Sequence, residues 1–170
     1  VIEKLHKIRN MSGDCETHGI NDEIILNFLE NDPSLSIAID EAERNFQELS
    51  SELGEQMFSL NETELVKMVQ NDFVNFYNPS TVNPYIPIAA RGPWIITSHG
   101  AVIHDNGGYG MLGMGHGPED VIMAMQKNWV MANVMTPSFS QKRLAQKLRE
   151  EVGFSRGNCP FHKFICLNSG

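Results

Sequence analysis

Gly107-Gly108-Tyr109-Gly110-Met111-Leu112-Gly113-Met114-Gly115-His116-Gly117-Pro118 holds six of the chain's 14 glycines in twelve positions. Glycine loses more conformational freedom on folding than any other residue. A chain concentrates it where the backbone turns tightly, takes positive φ or comes close to something bound. A mobile surface loop is the plainer reading of such a cluster. The apolar Tyr109, Met111, Leu112 and Met114 between the glycines favour a packed loop that lines a site. Ala101-Val102-Ile103-His104 upstream reads as a strand. Downstream, Pro118-Glu119-Asp120 opens a helical pattern, with proline and acids where a first turn favours them.

Working outward, Trp94-Ile95-Ile96-Thr97 precedes Ser98-His99-Gly100, and the two apolar runs read as a β-hairpin turning at Gly100. Before it, Asn78 to Pro93 carries Pro79, Pro84, Pro87 and Pro93, which predicts extended backbone with little regular pairing. Residues 20–77 read as helices. Asn21-Asp22 caps a short one carrying Ile24, Ile25, Phe28 and Leu29, which Asp32-Pro33-Ser34 breaks. Ile39, Ala42, Phe46, Leu49 and Leu53 keep helical spacing over 35–53, with Gly54 as C-cap. Asn61 with Glu64 suggests a capping box, followed by one face of Leu65, Met68, Val69, Phe73 and Phe76. This extension should bury an apolar stripe, with its acids on a solvated face. Residues 1–20 read as polar and irregular, with turns at Asn10–Asp14 and at His18-Gly19.

On the C-terminal side, Ile122, Met125 and Trp129 mark the buried face of a helix from Pro118 to about Asn133. Thr136-Pro137-Ser138 interrupts. A second helix carries Leu144, Leu148 and Val152 to Gly153, and Lys163 to Leu167 reads as a buried strand running into Asn168-Ser169-Gly170. Small residues after such a strand suit an anion held at a following helix N-terminus.

Composition narrows the function. An apolar fraction of 41% with 20% charged residues is that of a globular protein. Net charge is −8, and no Lys/Arg cluster supplies the basic footprint that nucleic acid or an anionic membrane needs. No apolar run approaches the length of a membrane span. Three widely spaced cysteines, Cys15, Cys159 and Cys166, and a charged N-terminus without a signal-peptide core point to the cytoplasm. Gly108 to Gly113 matches G-x-G-x-x-G. However, the helix opens only at Pro118, and the first acid after Asp120 is Glu150, so no ribose-binding acid stands about twenty residues on. Cys159, His162 and Cys166 lack the fourth ligand of a structural zinc, so no metal is expected. His99, His104 and His116 read as hydrogen-bonding residues. No G-x-S-x-G motif or P-loop is present.

The order of these elements resembles the N-terminal region of the class III aminotransferases, the pyridoxal-phosphate enzymes that include ornithine and 4-aminobutyrate aminotransferases. His99 to Asp105 is similar to that family's hairpin element, Leu112 to Pro118 to its L-G-H-x-H-P loop end, and Phe164 to Gly170 to its strand into N-S-G. Gly117-Pro118 stands where the family has His-Pro, and His99 where an Asp is common. The resemblance spans about residues 84–170. It implies an α/β protein, the N-terminal segment of a pyridoxal-phosphate aminotransferase-type fold: residues 1–80 a helical extension, 81–117 the hairpin and glycine loop of a small domain, and 118–170 the start of a large cofactor-binding domain.

It further implies a transaminase that moves an amino group from an amino acid or ω-amine to a 2-oxo acid on pyridoxal 5'-phosphate, as a homodimer with the active site at the interface. Ser169 and Gly170 would belong to the phosphate-binding turn, and Tyr109, Gly110 and Phe139 would face the substrate. The Schiff-base lysine is expected downstream. The 170 residues are accordingly expected to be the N-terminal segment of a longer protein, inactive in transamination alone. The alternatives are another pyridoxal-phosphate enzyme (aminomutase, racemase or decarboxylase) or a non-catalytic scaffold using helices 20–77 as its interaction module.

Overall fold

A computed structural model describes residues 1–74, 76–106, 113–130 and 135–166. The chain divides into two compact units, Val1–Gln126 and Lys127–Gly170.

The first unit is mixed helix and sheet. Its helices are α1 (Ile2–Met11), α2 (Asp22–Leu29), α3 (Pro33–Leu53), α4 (Glu55–Phe58), α5 (Glu62–Gln70) and, at its end, α6 (Glu119–Met125). A 3-10 turn at Pro79–Thr81 leads to three strands, β1 (Pro87–Arg91), β2 (Trp94–Thr97) and β3 (Val102–His104). They form one antiparallel sheet in the order β1-β2-β3, with Ile95 opposite both Ala90 and Ile103. The expected hairpin is β2–β3, and Gly100 turns it at φ 73°.

The long helix α3 lies on β1 and β2. Its apolar positions Leu35, Ala38, Ile39, Ala42 and Phe46 share one buried cluster with Ile88 and Ala89 of β1, Trp94 and Ile96 of β2, and Val102 of β3. Trp94 and Ile96 are two residues apart, hence on one face of the pleat. The stripe predicted for the helical extension is therefore covered by the hairpin itself. Local chemistry sets the helix starts. Asn21 Oδ1 accepts from Ile24 N, and Asn61 Oδ1 from Glu64 N, each at 2.9 Å. Asp32 and Pro33 do more than break a helix: Asp32 caps α3 by accepting from Ser34 N at 2.9 Å, and Pro33 occupies its first turn.

Five expectations need correction. Residues 1–20 are not irregular, because Ile2–Met11 is helical without any side-chain cap. Ten residues are marginal as an isolated helix; Leu5 and Ile8, both fully buried, hold it in the core, each worth about 1.5–3 kcal/mol. Lys4 and Lys7 add surface ion pairs to Glu43 of α3. The proline-rich stretch does pair, since Pro87 takes the first position of edge strand β1, where a missing N–H is tolerated. The helix from Asn61 stops at Gln70, leaving Phe73 and Phe76 beyond it, 80% and 83% exposed. α6 ends at Met125 rather than near Asn133, and Met125 and Trp129 are exposed instead of buried. Finally, residues 163–166 form no strand, and Ile165 is 82% exposed; no neighbouring strand among the described residues supplies a ladder.

In the second unit, α7 (Phe139–Gly153) starts on a full capping box. Gln141 N donates to Ser138 Oγ and Ser138 N to Gln141 Oε1. Arg149 fixes the following segment to this helix by donating to the carbonyls of Phe161 and His162 at 2.8 and 2.6 Å. No helix among the described residues is long and apolar enough to cross a membrane.

Candidate functional site

The end of the glycine loop returns to the sheet. Gly92, in the β1–β2 turn, and His116 exchange both backbone hydrogen bonds, N–H to O at 2.9 and 2.7 Å. Such close approach requires glycine, because a Cβ on Gly115 (φ 73°) would lie 2.9 Å from the backbone of Gly92. The His116 ring then meets Asp105, just past β3, with Nε2 2.9 Å from Oδ2 and both side chains about one-fifth exposed. The two motif elements singled out in the sequence, the hairpin ending at Asp105 and the loop ending at His116, are thus in direct contact.

Arg91, the last residue of β1, completes the anchor. It donates from Nε and Nη2 to the two carboxylate oxygens of Glu41 on α3, at 2.9 and 2.6 Å, and from Nη1 to the carbonyl of Gly117 at 3.0 Å. Glu41 raises the guanidinium pKa against the small opposing effect of burial, so Arg91 is a permanent cation. One side chain thereby joins helix, strand and loop.

These residues wall a cleft of about 540 Å³ bordered by Ser34, Arg91, Gly92, His116, Glu119 and Ile122. It combines a cation, a carboxylate and an imidazole with an apolar wall, which suits a small amphipathic molecule. His104 and His99 also act as hydrogen-bonding residues. His104 Nδ1 meets Asn106 Oδ1 at 2.9 Å and its ring stands edge-on to Trp94; the buried His99 meets Ser98 Oγ and the carbonyl of Leu60.

Of the residues expected at the site, Tyr109, Gly110, Ser169 and Gly170 lie outside the described residues. Phe139 opens α7 in the second unit and is 86% exposed. Arg91, the cation of the cleft, and Glu41, which holds it, carry no motif and stand 50 positions apart, so no local spacing announces them.

A second polar centre escaped the sequence reading altogether. Glu62, 1% exposed at the start of α5, accepts from Glu16 N at 3.0 Å and Thr17 N at 2.7 Å through Oε2. Cys15 Sγ lies 3.8 Å from the same oxygen. Burial first, then this carboxylate, raises the Cys15 thiol pKa and keeps it protonated. Among the described residues no three His, Cys, Asp or Glu side chains converge as a metal site would require. No family model, curated protein or solved structure matches the chain.

Proposed function

We propose that this chain forms the N-terminal part of a pyridoxal-phosphate-dependent transaminase, transferring an amino group from an amino acid or ω-amine to a 2-oxo acid. The observation that carries this reading is the contact of Asp105 with His116 at 2.9 Å. The order of motifs resembling class III aminotransferases implies a hairpin and a glycine loop working together, and these side chains join them. The cleft that His116 borders is of a size for a small amphipathic substrate.

For the cofactor itself the described residues provide no seat. Arg91, the guanidinium lining the cleft, is already engaged by Glu41 and Gly117, and no lysine borders the cleft. Ser169 and Gly170, which would take the phosphate, lie outside the described residues. No chemical step through the cofactor is therefore derived.

The test is borohydride reduction of the naturally encoded protein purified with pyridoxal phosphate, followed by intact-mass and peptide analysis. One reduced pyridoxyl group on a lysine supports the reading. A protein saturated with cofactor that yields no adduct refutes it.

A further inference from the structure

The apolar stripe of α3 ends on a polar residue. Leu35, Ala38, Ile39, Ala42 and Phe46 are buried along one face, and Ser50, one turn beyond Phe46, is only 7% exposed. Its Oγ has no hydrogen-bond partner among the described residues. Serine in a helix has a ready partner in the carbonyl four residues back. Ser12 uses that partner, donating to Ile8 O at 2.8 Å, and Ser51, the very next residue, donates to Gln47 O at 2.9 Å. Ser50 does not. A buried hydroxyl without a partner is destabilising, and the opening beside Ser50 is where one can enter.

Ser50 lines a recess of about 370 Å³ among α1, α3 and α4. The floor is apolar. Phe46 and Phe58, both largely buried, stand edge to face with ring centres 5.1 Å apart, and the half-exposed Met11 flanks them. Serine, smaller than the leucine or phenylalanine that the stripe carries elsewhere, leaves this space open. At the rim stands the exposed Glu55. From Asn45 to Val66 the chain has five Glu and no Lys or Arg, a local field that draws cations and repels anions. Aromatic and thioether walls suit a flat ring. The inner hydroxyl calls for a polar group on that ring, and the rim calls for a positive charge.

We propose that this recess binds a small hydroxylated aromatic amine. Its ring lies against Phe46, Phe58 and Met11, its hydroxyl bonds Ser50 Oγ, and its ammonium stays at Glu55. The recess shares no residue with the cleft at His116, so the binding stands or falls independently of the proposed transaminase activity.

The experiment is an NMR titration of the full chain with three probes. These are tyramine, phenethylamine, which lacks the phenolic hydroxyl, and 4-hydroxyphenylacetate, which carries a carboxylate in place of the amine. Tyramine is expected to bind with a Kd of about 1 mM and to shift the Met11 methyl and the rings of Phe46 and Phe58. Phenethylamine should bind about fivefold more weakly, and 4-hydroxyphenylacetate more weakly still. Ser50→Ala should melt at or above wild type when free of ligand, because no bond within the protein is lost, and should bind the two amines equally. Glu55→Gln should weaken both amines alike, about threefold. No tyramine binding up to about 20 mM overturns the proposal. So does tyramine binding no better than either other probe, or a preference for tyramine over phenethylamine that survives Ser50→Ala. A Ser50→Ala protein that melts well below wild type would show that the hydroxyl already has a partner, and would overturn it too. Tyramine shifts confined to His116 and its neighbours would sink this site while leaving the transaminase reading intact.

Discussion

The indole Nε1 of Trp94 donates to Asp32 Oδ2 at 2.7 Å, so the carboxylate that caps α3 also receives the one polar group of the largest core side chain. Its other oxygen is held by the backbone N and hydroxyl of Ser34. Helix start and sheet start are thereby one structure. Asp32→Ala should destabilise the protein by about 2–4 kcal/mol, combining a lost cap with an indole N–H left bare in the core. Urea unfolding midpoints would measure it.

The same carboxyl predicts a pH dependence. Partial burial raises the Asp32 pKa, but the bonds from Ser34 and Trp94 outweigh it and hold the value below the ordinary one. A depressed folded-state pKa gives stability that is complete above about pH 4 and is lost as pH falls through the folded value. Asp32→Asn does not titrate. The stability difference between wild type and Asp32→Asn should therefore be constant from pH 5 to 7 and shrink on acidification below about pH 4.

Glu62 gives a sharper test of the second polar centre. Glu62→Ala strips the amides of Glu16 and Thr17 of their shared acceptor and should cost about 2–4 kcal/mol. Glu62→Gln keeps a carbonyl acceptor and should cost less. Because burial and Glu62 together keep the Cys15 thiol protonated, iodoacetamide at neutral pH should modify Cys15 far more slowly than the exposed Cys166. Glu62→Gln should speed Cys15 labelling, as read by mass spectrometry of timed samples. Equal rates in both proteins would remove the carboxylate from the explanation.

Arg91→Lys should release the loop end. Lysine retains the charge but cannot bond Glu41 with two parallel N–H groups while also reaching the carbonyl of Gly117. A stability loss of about 1 kcal/mol is expected, small because the pair is partly exposed. Faster amide exchange at Gly92 and His116, which share the adjoining backbone bonds, is the specific signature.

Gly115→Ala should be worse. It demands φ 73° of alanine and drives a Cβ to 2.9 Å from the backbone of Gly92, a conformational penalty of about 1–2 kcal/mol before any strain. The measurement is the thermal midpoint, with the His116 to Asp105 contact followed by imidazole NMR shifts.

Legibility in the sequence followed the range of the forces. Asn21 and Asn61 announce helices because a cap acts on the next few residues, and Gly100 announces β2–β3 because the turn lies within the motif. α1 is invisible because what holds it, Leu5 and Ile8 against α3, comes from another part of the chain. The role of Asp32 was misread for the same reason: Asp-Pro marks a break locally, whereas its second oxygen serves an indole 62 residues away. In the site, Asp105 and His116 were legible as members of motifs. Arg91 and Glu41 were not, since only the packing of α3 on β1 brings them together.

Arg9 donates from Nε to the carbonyl of Gly100 at 2.9 Å, across 91 positions of sequence. On a ribosome adding about 5–20 residues per second, α1 waits about 5–18 s for the turn it clasps. Through that interval Leu5, Ile8 and Ile39 lack the sheet side of their core. The helices of the first unit are therefore made before the sheet that completes their core, and the newborn chain, rather than the folded one, is where a holding chaperone would find their apolar stripe.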